Sequence, residues 1–186
     1  MRIIGGKARG TKLYTLEGSN TRPTLDRVKE SLFNIIQNII QDSVFLDLFS
    51  GSGAIGLEAA SRGAKRAILC DKSKSAVQII NKNIEKTHLE EKIKIYNNDF
   101  KEVLENKINE KLDIIYLDPP YDTNYSYEAL KIIIEKDLLK EDSTVIIETD
   151  QKEKIIKQIE TLENLEISDI RKYGRAILIF LNKRKG

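Results

Sequence analysis

Two stretches of the 186-residue chain bring together residue types able to do chemistry. The first runs Phe45-Leu46-Asp47-Leu48-Phe49-Ser50-Gly51-Ser52-Gly53-Ala54-Ile55-Gly56. It sets a G-x-G-x-x-G between a short apolar run and a helical pattern, where glycines permit a tight turn and let a ligand approach backbone N–H groups. Asp71 ends the next apolar run, with Lys72 after it, and an acid there is placed to accept from a ribose diol. Together these features point to a nucleoside-containing cofactor.

Asp47 decides which one. A dinucleotide would lay its negative pyrophosphate against the glycine turn, and a carboxylate beside that turn would repel it. A methionine-derived cofactor carries an ammonium and a sulfonium, which an acid attracts, so S-adenosylmethionine is favoured over NAD. In Asn97-Asn98-Asp99-Phe100, Asp99 either receives an adenine amino group while Phe100 packs near the ring, or serves as a helix N-cap. The candidate cofactor-binding residues are thus Asp47, Ser50, Gly51, Gly53, Asp71, Lys72, Asp99 and Phe100.

The second stretch is Asp118-Pro119-Pro120-Tyr121. Two prolines fix φ and remove two N–H donors, leaving a rigid turn with carbonyls to offer. This suits the exocyclic amine of a planar base. Accepting both its hydrogens, at Asp118 and at a proline carbonyl, aims the nitrogen at a methyl donor and localises its lone pair. Tyr121 can stack on the base, an interaction worth about 1–3 kcal/mol. All four residues are candidate catalytic residues for direct methyl transfer.

Elements must hold these groups. Residues 44–49, 66–71, 92–97, 112–118 and 144–148 are short, rich in Ile, Val and Leu, and read as strands. Residues 54–62, 73–87, 100–106, 127–136 and 152–162 have apolar side chains at helical spacing. That alternation predicts an α/β, Rossmann-like fold: five parallel strands covered on both faces. Segments 165–172 and 176–182 follow with only three residues between them, so the last pair is antiparallel and completes a seven-stranded mixed sheet. Ahead of this block, 2–4 and 11–15 flank a basic, Gly-rich turn and read as a hairpin. Pro23 opens an amphipathic helix whose apolar positions run to Ile40. The expected organisation is a basic β-hairpin extension over 1–20 and a catalytic domain over 21–186.

Composition restricts the classes further. Hydrophobic residues make up 40% and charged residues 32% of the chain, the balance of one globular domain. The formal net charge of +2 conceals an N-terminal concentration: Arg2, Lys7, Arg9, Lys12, Arg22, Arg27 and Lys29 lie among the first thirty residues against three acids. Such a cluster is either a solvated face or a phosphate-tracking surface. Arg22 and Thr24, in a rigid Arg-Pro-Thr turn, are alternatively placed to reach cofactor or base. The single Cys70 excludes an internal disulfide, and with no leader and no apolar run of membrane length a cytoplasmic location is expected. One His88 beside one Cys70 makes a zinc cluster implausible.

Taken together, these motifs resemble class I S-adenosylmethionine-dependent methyltransferases of the amino-methylating group. The segments Arg2-Ile3-Ile4-Gly5-Gly6-Lys7-Ala8-Arg9-Gly10, Thr21 to Asn34, and Lys172-Tyr173-Gly174-Arg175 narrow the resemblance to the RsmD family. One departure is Arg175, where the family commonly has threonine. The resemblance implies methylation of the N2 amine of a guanine in 16S rRNA, S-adenosylhomocysteine as product, no metal, a monomer, and a small-subunit particle as partner. RNA contacts are expected at Arg2, Lys7, Arg9, Lys12, Arg22, Thr24 and Arg27. Three alternatives remain: an amino group of adenine or cytosine in DNA or another RNA, an NAD-dependent oxidoreductase, and a non-catalytic RNA-binding module.

Overall fold

In the computed structural model the described residues are 1–18 and 23–186, the side chains of Pro23 and Thr24 excepted. The apolar runs become β1 (Val44–Asp47), β2 (Arg66–Cys70), β3 (Ile93–Tyr96), β4 (Leu112–Leu117) and β5 (Leu139–Thr149). The antiparallel pair is β6 (Leu165–Tyr173) and β7 (Ala176–Lys183). The sheet order is β3-β2-β1-β4-β5-β7-β6, with β1 to β5 mutually parallel and β7 antiparallel to both its neighbours. The carboxyl ends of β1 to β5 therefore share one edge. Strand order reverses between β1 and β4, the switch point at which open α/β sheets bind ligands.

Helices cover both faces: α1 (Pro23–Ile35), α2 (Ala54–Ser61), α3 (Lys74–Thr87), α4 (Phe100–Glu102), α5 (Tyr125–Glu135) and α6 (Lys152–Glu160). The period-two alternation of the strands divides the core in two. Phe45, Ile114, Tyr116 and Ile146 face the N-terminal segment, α1, α2 and α3. Leu46, Ile115, Leu117 and Ile147 face α5 and α6. Among the described residues no helix is long and apolar enough to cross a membrane.

Three elements differ from expectation, each for a local reason. β5 begins at Leu139, ahead of the expected residue 144, because Leu139 pairs with Leu112 before an irregularity in the ladder. The exposed Lys140, Glu141 and Asp142 mask that pairing in the sequence. The expected helix over 100–106 is one α turn followed by a π turn at Val103–Lys107. α1 stops at Ile35, and the chain turns through an Ile39 N–H bond to the Ile36 carbonyl (2.9 Å) to enter β1.

The N-terminal segment turns back on itself around one antiparallel bridge, Arg2 with Lys12, and the Ile3 N–H bonds the Thr11 carbonyl (2.9 Å) and the Leu13 N–H the Met1 carbonyl (2.8 Å), a pairing too short to form regular strands. Other backbone groups of the segment bond to α2 and α3. The Ile4 N–H reaches both oxygens of Glu58 (3.0 and 3.1 Å), the Lys7 N–H reaches the Ser61 carbonyl (2.8 Å), and the Tyr14 N–H reaches Asn83 Oδ1 (2.7 Å). Ile3, Ala8 and Leu13 are buried in the core. Gly6 lies so close to α2 that a Cβ there would fall 1.9 Å from the Ser61 oxygen, so no other residue fits.

Candidate active-site cleft

A cleft of about 470 Å3 opens at the shared carboxyl edge, over the switch point. Its floor is the glycine turn. Gly53, at φ 83°, caps α2 in a conformation costly for any residue with a Cβ; it shapes the turn without lining the cleft. Ser50 lines the cleft, but its hydroxyl is committed locally, donating to the Asp47 carbonyl (2.7 Å) and accepting the Cys70 N–H (3.0 Å). This clip ties the ends of β1 and β2 together.

Asp47 is 1% exposed. Its Oδ2 accepts the Gly56 N–H at 3.1 Å, whereas the buried Oδ1 has no hydrogen-bond partner among the described residues. Burial, with the Asp71 carboxylate as a lesser cause, pushes its pKa from 3.8 up to about 7. A buried acid that lines a cleft, with one oxygen unpartnered among the described residues, is poised for a cationic ligand group. Asp71 is half-buried and holds the loop from the other side, accepting the Gly51 N–H and the Ser73 N–H, both at 2.9 Å. Lys72 is exposed at the cleft lip.

The end of β3 supplies Asp99 and Phe100. Asp99 is exposed and caps α4, accepting the Lys101 N–H at 2.9 Å, so it takes the N-cap position weighed for it and also lines the cleft. Phe100 is buried against Phe49 and Tyr125, with ring centroids 5.2 and 5.0 Å away, and Phe49 stacks on Tyr125 at 6.2 Å. These three rings make one apolar wall. Neither Phe49 nor Tyr125 stands out in the sequence, although both flank motifs that do.

Asp118-Pro119-Pro120-Tyr121 forms the opposite rim. Tyr121 is 78% exposed, a free ring at the mouth. The Thr123 hydroxyl donates to the Pro120 carbonyl at 2.9 Å, which makes the Pro119 carbonyl the freer of the two to accept. Asp118 is an exposed residue that lines the cleft. Burial, then the Glu148 and Asp47 carboxylates, hold its pKa well above the usual carboxylate range. A second cavity of about 870 Å3 adjoins this rim and is lined in part by Tyr173, at the end of β6, and by Gly174 and Arg175 in the turn that follows.

Lys29 departs from its expected place on a basic surface. It is 1% exposed, lines the cleft, and donates to the Arg2 carbonyl at 2.5 Å. Burial lowers its pKa, while Glu58 and Asp26 oppose that shift. Arg2, Lys7, Arg9, Lys12 and Arg27 are exposed and none of them lines the cleft. Arg22 and the Thr24 side chain lie outside the described residues. Cys70 is buried, and burial raises its thiol to about 12, which leaves it unreactive. His88 is exposed and closes α3 in the left-handed conformation.

A doubly covered parallel sheet with an antiparallel last pair, a glycine turn after β1, acids ending β1 and β2, and Asp-Pro-Pro-Tyr beyond β4 define a class I methyltransferase. More narrowly, the profile described as conserved hypothetical protein 95 matches residues 1–182, and the chain belongs to that family, the RsmD family. Ribosomal RNA small subunit methyltransferase D of Haemophilus influenzae is 35% identical over 158 residues, covering 84% of this chain and 82% of its own. YlbH of Bacillus subtilis is 34% identical over 186 residues, covering 99% of this chain and 100% of its own. The structure of yhhF from Escherichia coli superposes with a TM-score of 0.82 at 26% identity, covering 100% of this chain and 99% of that one.

Proposed function

We propose that this protein methylates the exocyclic N2 amine of a guanine in the 16S rRNA of the small ribosomal subunit, with S-adenosylmethionine as donor. The observation that carries this reading is a buried Asp47, its Oδ1 unpartnered among the described residues, in the lining of a cleft whose rim is Asp118-Pro119-Pro120-Tyr121. The donor set suits the cofactor. Asp47 would hold its ammonium, Asp71 its ribose hydroxyls, and the wall of Phe49, Phe100 and Tyr125 its adenine. When bound, the cofactor supplies an electrophilic methyl group on sulfur.

The chain's own groups do the rest. Asp118 and the Pro119 carbonyl accept the two amine hydrogens and fix the nitrogen's direction. Tyr121 stacks on the base. Positioning and electrostatics supply the rate, with no covalent enzyme intermediate. The ribosomal RNA target is supported by relatives named for that activity, and by exposed Arg2, Lys7, Arg9, Lys12 and Arg27, a surface able to track phosphates. The partner is then a small-subunit particle met by a cytoplasmic monomer.

A labelled-methyl assay on small ribosomal subunits, naked rRNA and DNA tests this. Label should enter 16S rRNA at guanine N2; label on DNA alone, or none with any acceptor, overturns the reading. Asp118→Asn keeps an acceptor and should lose less activity than Asp118→Ala. Equal and negligible losses for both would remove Asp118 from the mechanism.

A further inference from the structure

Asp118 has an acidic neighbour that the proposed mechanism does not use. β4 and β5 pair in parallel with Tyr116 opposite Ile146 and Leu117 opposite Ile147. The next step along both chains brings Asp118 beside Glu148, on backbones about 4.8 Å apart. Residues two apart along a strand share a face, so Tyr116, Asp118 and Glu148 project to the same side. The Tyr116 hydroxyl, buried beneath them, donates to Glu148 Oε2 and fixes that carboxyl. Both carboxyls line the 470 Å3 cleft and the 870 Å3 cavity, so they stand where the two meet. The other charged groups around this junction are Asp47 from β1, Lys29 from α1, Asp122 and Asp150 from loops, and Arg175 from the β6–β7 turn.

Two neighbouring carboxyls ionise less readily than one, because each charge disfavours the other. Burial raises both, and the Tyr116 hydroxyl favours the charged form of Glu148. With Tyr116 already donating to Glu148, Asp118 is the carboxyl better placed to keep a proton between the two, leaving its other oxygen to accept from an amine in the cleft.

We infer that Asp118 and Glu148 work as a proton relay for the target amine, with Tyr116 orienting Glu148 as its terminal acceptor. This rests on the methyl-transfer reading above. The amine nitrogen bonds to the methyl carbon as the carbon–sulfur bond breaks, and that electron pair returns to sulfur. The nitrogen then gives one N–H proton to the Asp118 carbonyl oxygen, Asp118 passes its own proton to Glu148, and the excess proton leaves through the cleft to water. Glu148 acts through Asp118 and is a positioning residue; Asp118 is the group that touches the amine.

The relay is tested by following carboxyl carbon signals in the cofactor-free protein against pH, alongside single-turnover methyl transfer to small ribosomal subunits. In the wild type, Asp118 and Glu148 should titrate as a coupled pair above the ordinary carboxylate range. Glu148→Gln removes the repelling charge, so the Asp118 transition should move to lower pH. The transfer rate should fall about tenfold to a hundredfold with cofactor affinity unchanged. Tyr116→Phe removes the donor to Glu148, so the Glu148 transition should move to higher pH, with a smaller loss of rate. Shifts of opposite sign are a signature that loss of packing does not produce. An Asp118 transition that stays put in Glu148→Gln overturns the relay, and so does an unchanged transfer rate. Absence of methyl transfer by the wild type, with the titrations behaving as stated, overturns the methyl-transfer reading instead and leaves the coupled pair standing.

Discussion

At the residue scale, Asp47 combines a cost to folding with a gain in binding. Its folded pKa of about 7 exceeds the ordinary 3.8, so across that interval the folded chain binds more protons than the unfolded one and stability falls as pH rises. Asp47→Asn should accordingly melt at higher temperature than the wild type near about pH 8, with the difference closing near about pH 4. Cofactor affinity should move the other way. An ammonium prefers the ionised carboxylate, so calorimetric affinity for S-adenosylmethionine should rise with pH through about 7 in the wild type. In Asp47→Asn that dependence should vanish and affinity should drop about tenfold to a hundredfold, the worth of a charge-assisted hydrogen bond at roughly 1.5–3 kcal/mol. A pH-independent wild-type affinity would show that Asp47 does not meet the ammonium. Asp47, Asp71 and Asp118 were legible from the sequence because each ends an apolar run and so stands at a strand's carboxyl end. Lys29 and Glu148 were not: Lys29 sits in a basic stretch that looks like surface, and Glu148 matters only because β5 lies next to β4.

At the element scale, the glycine turn and the N-terminal segment are joined through one side chain on α3. Asn83, fully buried, accepts the Tyr14 N–H (2.7 Å) and donates to the carbonyls of Tyr14 (3.0 Å) and Ser52 (2.9 Å). Asn83→Ala would strand three backbone groups, and each buried unsatisfied group costs about 1–3 kcal/mol. Chemical denaturation should show a loss of about that size or more, and amide exchange at Tyr14 should quicken well before that at β4. Unchanged exchange at Tyr14 would mean that the segment is held by its apolar contacts alone. In sequence, Asn83 reads only as a polar position within a helical pattern. The helices themselves were legible because their apolar spacing is local, as with Ile80 and Ile84, both buried on α3. The split of the 100–106 helix into an α turn and a π turn was not legible, since propensity does not distinguish the two ladders.

At the scale of the whole molecule, the basic segment is part of the core as well as part of the surface. Replacing Arg2, Lys7, Arg9 and Lys12 together with glutamate leaves Ile3, Ala8 and Leu13 in place. That variant should fold and bind S-adenosylmethionine normally, yet bind rRNA more weakly and with a shallower salt dependence, by about 0.7 in slope for each phosphate that is no longer neutralised. Deleting residues 1–16 should instead lower the melting temperature, because it uncovers the α2 face and leaves the buried Glu58 without the Ile4 N–H. Equal rRNA affinity in the charge variant and the wild type would show that this surface is merely solvated. By itself the sequence determined the α/β alternation, the antiparallel last pair, the glycine turn with its flanking acids, and the Asp-Pro-Pro-Tyr turn. All of these are written in local periodicity and short spacing. Only the tertiary structure decided that Asp118 and Glu148 line the same cleft from neighbouring strands, that Lys29 is buried, that three aromatic rings form one wall, and that the N-terminal segment is fastened to α2 and α3. Those outcomes depend on which strands become neighbours and where backbone groups find partners, and contacts between residues far apart in the chain leave no periodic trace in it.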